Sequence, residues 1–114
     1  MSQYFDENPE VQSDPKTVSF SFKGNDYLFE TDRGVFSYEK VDKATQILLD
    51  ILWEKYYGKN PELIIDVGCG YGPIACVLGD RFPDSKIIGV DTNSRARDLA
   101  VKNARKNIGG DRIK

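Results

Sequence analysis

An α/β chain built on a parallel sheet is predicted here, and three observations predict it. Leu63-Ile64-Ile65-Asp66-Val67 is a short, β-branched apolar run that leads straight into glycines at alternate positions, Gly68, Gly70 and Gly72. A second run of the same kind, Lys86-Ile87-Ile88-Gly89-Val90, follows after a helix-like stretch. A second helical pattern then continues to about Asn107. Short apolar runs alternating with helices are the signature of strand–helix–strand units, whose strands are buried on both faces.

The elements follow in chain order. The first 15 residues are polar, with Pro9 and Pro15, and read as an extended lead-in. From Thr17 to Phe22, Val18, Phe20 and Phe22 alternate with Thr17, Ser19 and Ser21, the period of a strand with one buried face. Lys23-Gly24-Asn25-Asp26 is the turn, and Tyr27-Leu28-Phe29-Glu30-Thr31 is the returning strand of a β-hairpin. A further turn at Asp32-Arg33-Gly34 leads to Val35-Phe36-Ser37. Asp42 begins a helix in which Ala44, Ile47, Leu48, Ile51 and Leu52 share one face. Leu49, Trp53 and Tyr56 widen that stripe, which is assigned to the core. Gly58 ends the helix, and Asn60-Pro61 leads to the central strand.

Beyond the glycines, Pro73 suits the first turn of a helix, because its missing N–H would have no partner there in any case. Ile74, Ala75, Val77 and Leu78 form its apolar side, and it ends near Arg81-Phe82-Pro83. After the second apolar run, one of Thr92, Asn93 or Ser94 caps the last helix, with Ala96, Leu99, Ala100 and Ala104 facing inward. Gly109-Gly110 breaks it, and residues 111–114 resemble the approach to a third parallel strand. The expected division is residues 1–60, carrying lead-in, hairpin and amphipathic helix, and residues 61–114, the first half of a nucleotide-binding unit.

Composition excludes several classes. With 39% hydrophobic and 30% charged residues among 114, the chain is ordinary for one globular domain, and a net charge of −2 gives no global nucleic-acid signal. Residues 95–114 are locally basic, with seven Lys or Arg against Asp98 and Asp111. That stretch is read as a solvated helix face, with phosphate contact as the alternative. Cys69 and Cys76 form no Cys-x-x-Cys pair and the chain has no His, so no metal site is expected. Unpatterned cysteines suit a reducing cytoplasm, and no apolar run approaches the ~20 residues that span a bilayer. A cytoplasmic protein with no membrane or metal partner is therefore expected.

The glycine turn narrows the ligand. A dinucleotide-binding Gly-x-Gly-x-x-Gly counted from Gly68 needs glycine at position 73, where Pro73 stands. Asp66, just before the turn, would also sit badly beside a pyrophosphate. A carboxylate there suits a cationic ligand with a free amino group, such as S-adenosylmethionine (SAM). Asp91 lies 23 residues after Gly68, at the end of the second strand, where a carboxylate can accept hydrogen bonds from both ribose hydroxyls.

Asp66-Val67-Gly68-Cys69-Gly70-Tyr71-Gly72-Pro73-Ile74 followed by Gly89-Val90-Asp91 resembles motifs I and II of class I SAM-dependent methyltransferases. Tyr4-Phe5 with Asn8-Pro9, the segment Thr31 to Ser37, and Asp42 resemble more narrowly the small-domain group that includes the ribosomal RNA small subunit methyltransferase C family. The resemblance implies a Rossmann-like SAM-dependent methyltransferase fold, present here in its N-terminal part. It implies SAM as cofactor, bound by Asp66, Gly68, Cys69, Gly70, Gly72, Asp91, Thr92 and Asn93, with Phe36 and Ser37 lining the pocket. For Phe36, core packing at the hairpin exit stands beside that reading.

By the same resemblance, the full-length enzyme transfers the SAM methyl group to the 2-amino group of a guanine in small-subunit ribosomal RNA. Family members acting on exocyclic base amines carry Asn-Pro-Pro-aromatic, or Asp-Pro-Pro-aromatic, after the fourth strand, and this sequence has no Pro-Pro. No catalytic residue is therefore assigned here. A complete domain of this type needs about 80 to 100 further residues, so the chain is expected to be part of a larger fold and inactive alone. Its open sheet edge would be a site for self-association. Three rivals remain: a SAM-dependent enzyme acting on a small molecule or protein, a catalytically silent SAM-binding domain, and a nicotinamide-binding oxidoreductase, which Pro73 and Asp66 disfavour.

Overall fold

Alternation in the N-terminal part does form a hairpin in the computed structural model, which describes residues 11–110, 112 and 113. Strands β1 (Lys16–Phe22) and β2 (Asn25–Thr31) pair antiparallel, Phe22 opposite Asn25 and Lys16 opposite Thr31. The connection is only Lys23-Gly24, at φ +46° and +88°. Two left-handed residues match the twist of the flanking strands, so the turn is tighter than the four residues expected, and Asn25 and Asp26 belong to β2. Val18 and Phe22 from β1 and Tyr27, Phe29 and Thr31 from β2 are buried. In the lead-in, Ser13 Oγ and the Asp14 amide donate to Asp32 at 2.6 and 2.7 Å. Tyr4-Phe5 and Asn8-Pro9 lie outside the described residues.

Helix α1 (Lys43–Tyr56) is capped by Asp42, which accepts from the Thr45 amide at 3.1 Å. Its orientation differs from the expected one. Leu49 is fully buried and Leu52 and Trp53 pack partly against the core, whereas Ala44, Ile47, Leu48 and Ile51 are exposed. Apolar residues cover more than half of this helix, so periodicity alone leaves two faces eligible for the core. Aromatic packing selects between them: Trp53 meets Phe82 at 5.6 Å between ring centroids and lies 5.1 Å from the Arg81 guanidinium. Arg81 in turn donates to the carbonyls of Phe22 and Lys23 at the hairpin tip, at 2.6 and 2.7 Å.

Strands β3 (Leu63–Val67) and β4 (Lys86–Val90) pair parallel, Leu63 opposite Lys86 and Val67 opposite Val90. Ile113 bridges to Ile87 in parallel. Ile87 already faces Ile64, so this bridge lies on the opposite edge of β4, where the third strand was expected. Helices α2 (Pro73–Arg81) and α3 (Ser94–Asn107) cover the face that carries Ile64, Asp66 and Ile87. Leu63, Ile65, Val67, Ile88 and Val90 are exposed. The expectation of burial on both faces is therefore met on one face only among the described residues.

One hydrophobic cluster runs from Val18 and Phe29 of the hairpin through Leu49, Tyr71 and Val77 to Ile87, Leu99 and Ile113. The hairpin is thus packed onto the parallel unit. Two asparagines of α3 complete the join. Asn103 and Asn107 hydrogen-bond the backbone of Glu30 and Leu28, standing in for a third strand along the edge of β2.

Candidate cofactor-binding cleft

The C-terminal ends of β3 and β4 open into a cleft of about 660 Å³. This is where the dipoles and free amides of an α/β sheet converge and where ligands of such sheets bind. Phe36, Ser37, Gly68, Cys69, Gly70, Asp91, Thr92 and Asn93 line it. So do Asp42, Thr45, Tyr71, Pro73, Ile74 and Ala96, which the sequence reading did not assign to it. Its lining contains the carboxylates of Asp42 and Asp91 and neither Lys nor Arg.

The turn is held in part by its own backbone. Gly68 and Cys69 amides both donate to the Val90 carbonyl, at 2.6 and 3.0 Å, and the Gly72 amide donates to Cys69 O at 3.0 Å. Gly70, at φ +57°, presents its amide to Asp91 Oδ2 at 2.9 Å. Asp91 Oδ1 accepts the Asn93 amide at 2.9 Å. The carboxylate therefore bridges the glycine turn and the entry to α3, with its oxygens at the cleft.

Gly72 serves the backbone. It caps α2 at φ +100°, a left-handed conformation that favours glycine. A Cβ there would meet Ala100 Cα of α3 at 3.4 Å, an ordinary contact distance, so it is the conformation and not the space that calls for glycine. Neither Gly72 nor Asp66 is part of the cleft lining.

Asp66 is 8% exposed, and its Oδ2 has no hydrogen-bond partner among the described residues. Burial pushes its pKa up to about 6; a hydrogen bond from the Ala75 amide, in the first turn of α2, works against this, and the charge of Asp91 adds to the rise. A buried carboxylate oxygen without a donor costs stability unless a proton, water or cationic ligand supplies one. Cys69 and Cys76 are free and buried, and burial, reinforced by the nearby Asp66 charge, raises both thiols to about 12. They are protonated packing groups, poor nucleophiles at neutral pH.

The opposite wall is held in a strained form. Ser37 adopts φ +63°, unusual for a residue with a side chain. Its Oγ donates to Asp42 Oδ1 at 2.8 Å, and its carbonyl accepts the Tyr71 hydroxyl at 3.1 Å. Burial acts to raise the Asp42 pKa, but hydrogen bonds from Thr45 and Ser37 outweigh it and hold the carboxyl below its usual value. Phe36 is 57% exposed, so of its two readings the structure places it on the cleft wall and not in the core. Asn93 caps α3 by accepting the Ala96 amide at 3.1 Å, and its Nδ2 donates to Gly34 O at 2.7 Å. It ties this wall to α3, and its polar atoms are spent on the fold. Among the described residues no cluster of His, Cys, Asp and Glu could hold a metal, and no helix is long and apolar enough to cross a membrane.

Similarity to known proteins agrees with this geometry. The chain is 41% identical over 107 residues to the uncharacterised protein YbxB of Bacillus subtilis (strain 168), covering 91% of this chain and 50% of that protein. The solved structure of the T. thermophilus 16S rRNA N2 methyltransferase RsmC, in complex with AdoMet and guanosine, matches with a TM-score of 0.78 at 27% identity. That match covers 93% of this chain and 28% of the RsmC chain. The chain thus spans about half the length of this curated relative, the B. subtilis protein. Its fold is Rossmann-like, of the methyltransferase kind. Residues 26–112 match the family described as methyltransferase small domain, and the chain belongs to that family.

Proposed function

We propose that the chain is the cofactor-binding part of a SAM-dependent methyltransferase acting on the 2-amino group of a guanine in small-subunit ribosomal RNA. The observation that carries the cofactor assignment is the buried Oδ2 of Asp66, without a partner among the described residues, behind a cleft whose lining carries carboxylates and neither Lys nor Arg. A nearby cation, Arg97, is turned onto the Asp91 carbonyl at 2.8 Å. Pyrophosphate would be repelled there, whereas a sulfonium ligand with an α-amino group is attracted. In this reading Asp66 receives the ammonium end, directly or through water, and Asp91 receives the ribose hydroxyls. Gly68, Cys69 and Gly70 form the floor, and Phe36, Ser37, Thr92 and Asn93 form the walls. Gly72 acts indirectly, by capping α2.

SAM supplies an electrophilic methyl group. The protein's part is to hold it in line with the amine, exclude water and leave the nitrogen lone pair free. The target base must leave its stack to reach the cleft. RsmC, solved with AdoMet and guanosine, supports both halves of the reading. The protein works in the cytoplasm, where its unpaired cysteines stay reduced, and the edge of β3, unpaired among the described residues, offers a route to self-association.

The test supplies the full-length enzyme that contains this chain with methyl-tritiated SAM and small-subunit ribosomal RNA, free and in particles, and identifies the product nucleoside by mass spectrometry. N2-methylguanosine supports the proposal in full. Label in another nucleoside, a protein or a small molecule overturns the substrate assignment. SAM binding without transfer assigns the chain as a binding domain.

A further inference from the structure

Asn103 lies in the middle of α3, is fully buried and uses every polar atom of its side chain. Its Oδ1 accepts the Glu30 amide at 2.8 Å, while Nδ2 donates to Glu30 O at 3.0 Å and to Tyr71 O at 2.8 Å. One side chain therefore joins α3, the edge of β2 and the centre of the Gly70-Tyr71-Gly72 turn. A buried primary amide with two donors and an acceptor can fill this three-way node, whereas a hydroxyl or carboxylate lacks the second donor. One turn further on, Asn107 repeats the clamp on β2, accepting Leu28 N at 3.2 Å and donating to Leu28 O at 2.9 Å. Its remaining bond goes to Asn103 O at 2.8 Å, within α3. The two asparagines thus do the same structural work on the hairpin, and only Asn103 reaches the glycine turn.

Tyr71 makes that reach matter. Its ring packs on Phe29 at 5.9 Å between centroids, and its hydroxyl supports the strained Ser37 on the far wall. Its carbonyl is the remaining handle on the turn's orientation, and Asn103 holds it. We propose that Asn103 is a positioning residue for the cofactor cleft: it holds the carbonyl of the Tyr71–Gly72 peptide, makes the N-terminal hairpin part of the binding machinery, and touches no ligand itself. The inference rests on the cofactor reading above for its consequence in binding, but not for its effect on the turn.

The experiment compares Asn103→Ala with Asn107→Ala in the intact chain. Without ligand, amide hydrogen exchange at Gly70 and Gly72 is expected to quicken by about tenfold in Asn103→Ala, the effect of losing one buried hydrogen bond. In Asn107→Ala it should stay within about twofold, although both variants lose a clamp on β2. SAM affinity follows the same split. Equal effects in the two variants, or none in either, overturn the proposal. Where Asn103→Ala fails to fold, the unaltered chain decides by NMR: SAM should shift the Asn103 side-chain amide protons and leave those of Asn107 in place, and equal responses refute the assignment. An unaltered chain that fails to bind SAM counts against the cofactor reading alone, because the ligand-free exchange comparison still judges Asn103.

Discussion

Replacing Asp66 by Asn should remove a pH dependence that the wild-type fold cannot avoid. An aspartate with an ordinary value of 3.8 is raised by burial to about 6 in the native protein. The native state then binds the proton more tightly than the unfolded chain, so the protonated carboxyl favours folding. This contribution is complete below pH 3.8 and is lost as the pH rises to about 6. A shift of about two units corresponds to about 3 kcal/mol. Asp32 and Asp42 have lowered values, so their contributions have the opposite sign: present above 3.8, and lost only on further acidification. Urea unfolding followed through Trp53 fluorescence, from about pH 4 to about pH 8, separates the two kinds of group. Wild type should lose about 3 kcal/mol across this range relative to Asp66→Asn. Parallel profiles for the two proteins would refute the burial argument for Asp66.

Other consequences are simpler to read. A cationic ligand prefers the ionised carboxylate, so SAM affinity, measured calorimetrically, should rise with pH up to about 6 and then level off, with proton release on binding below that point. In thermal unfolding, Gly72→Ala should lower stability by about 1–3 kcal/mol, because it forces a side chain into a left-handed backbone at the start of α2. Gly58→Ala, at φ +76° with open space around it, should cost only about 1 kcal/mol in the same thermal scan. Leu49→Ala should cost about 2–5 kcal/mol in denaturant unfolding, while Ile51→Ala on the exposed side of α1 should stay within about 0.5 kcal/mol.

Much of this architecture could be read from local chemistry. Alternation of Val18, Phe20 and Phe22 marks the hairpin, Asp42 and Asn93 mark helix starts, and Pro73 after Gly72 marks the turn into α2. These signals act within a few residues, which is why they survive without tertiary information. The facing of α1 is a different matter. Ile47, Leu48 and Ile51 and their neighbours Leu49 and Trp53 are equally apolar, and only the ring of Phe82 and the Arg81 guanidinium decide between them.

In the cleft, Asp91 and the first glycines lie where their spacing implied, because a strand–turn–helix unit fixes that geometry. Gly72 caps α2 in a left-handed conformation and does not line the cleft, a distinction that glycine spacing alone does not make. Tyr71 and Asn103 were missed because their partners, Ser37 and Glu30, come from a different element. A usable signal did exist, because Asn103 and Asn107 share the inward phase of α3 with Ala96, Ala100 and Ala104. A polar side chain at a core position needs a partner, and two of them one turn apart point to a strand edge.

Whether the ends of β3 and β4 hold SAM is decided by calorimetric titration of the chain with SAM, beside a nicotinamide dinucleotide. One SAM site is expected, weakened by roughly 10- to 100-fold in Asp91→Ala through loss of hydrogen bonds to a charged group. No SAM binding, tighter binding of the dinucleotide, or unchanged SAM affinity in Asp91→Ala would contradict this assignment.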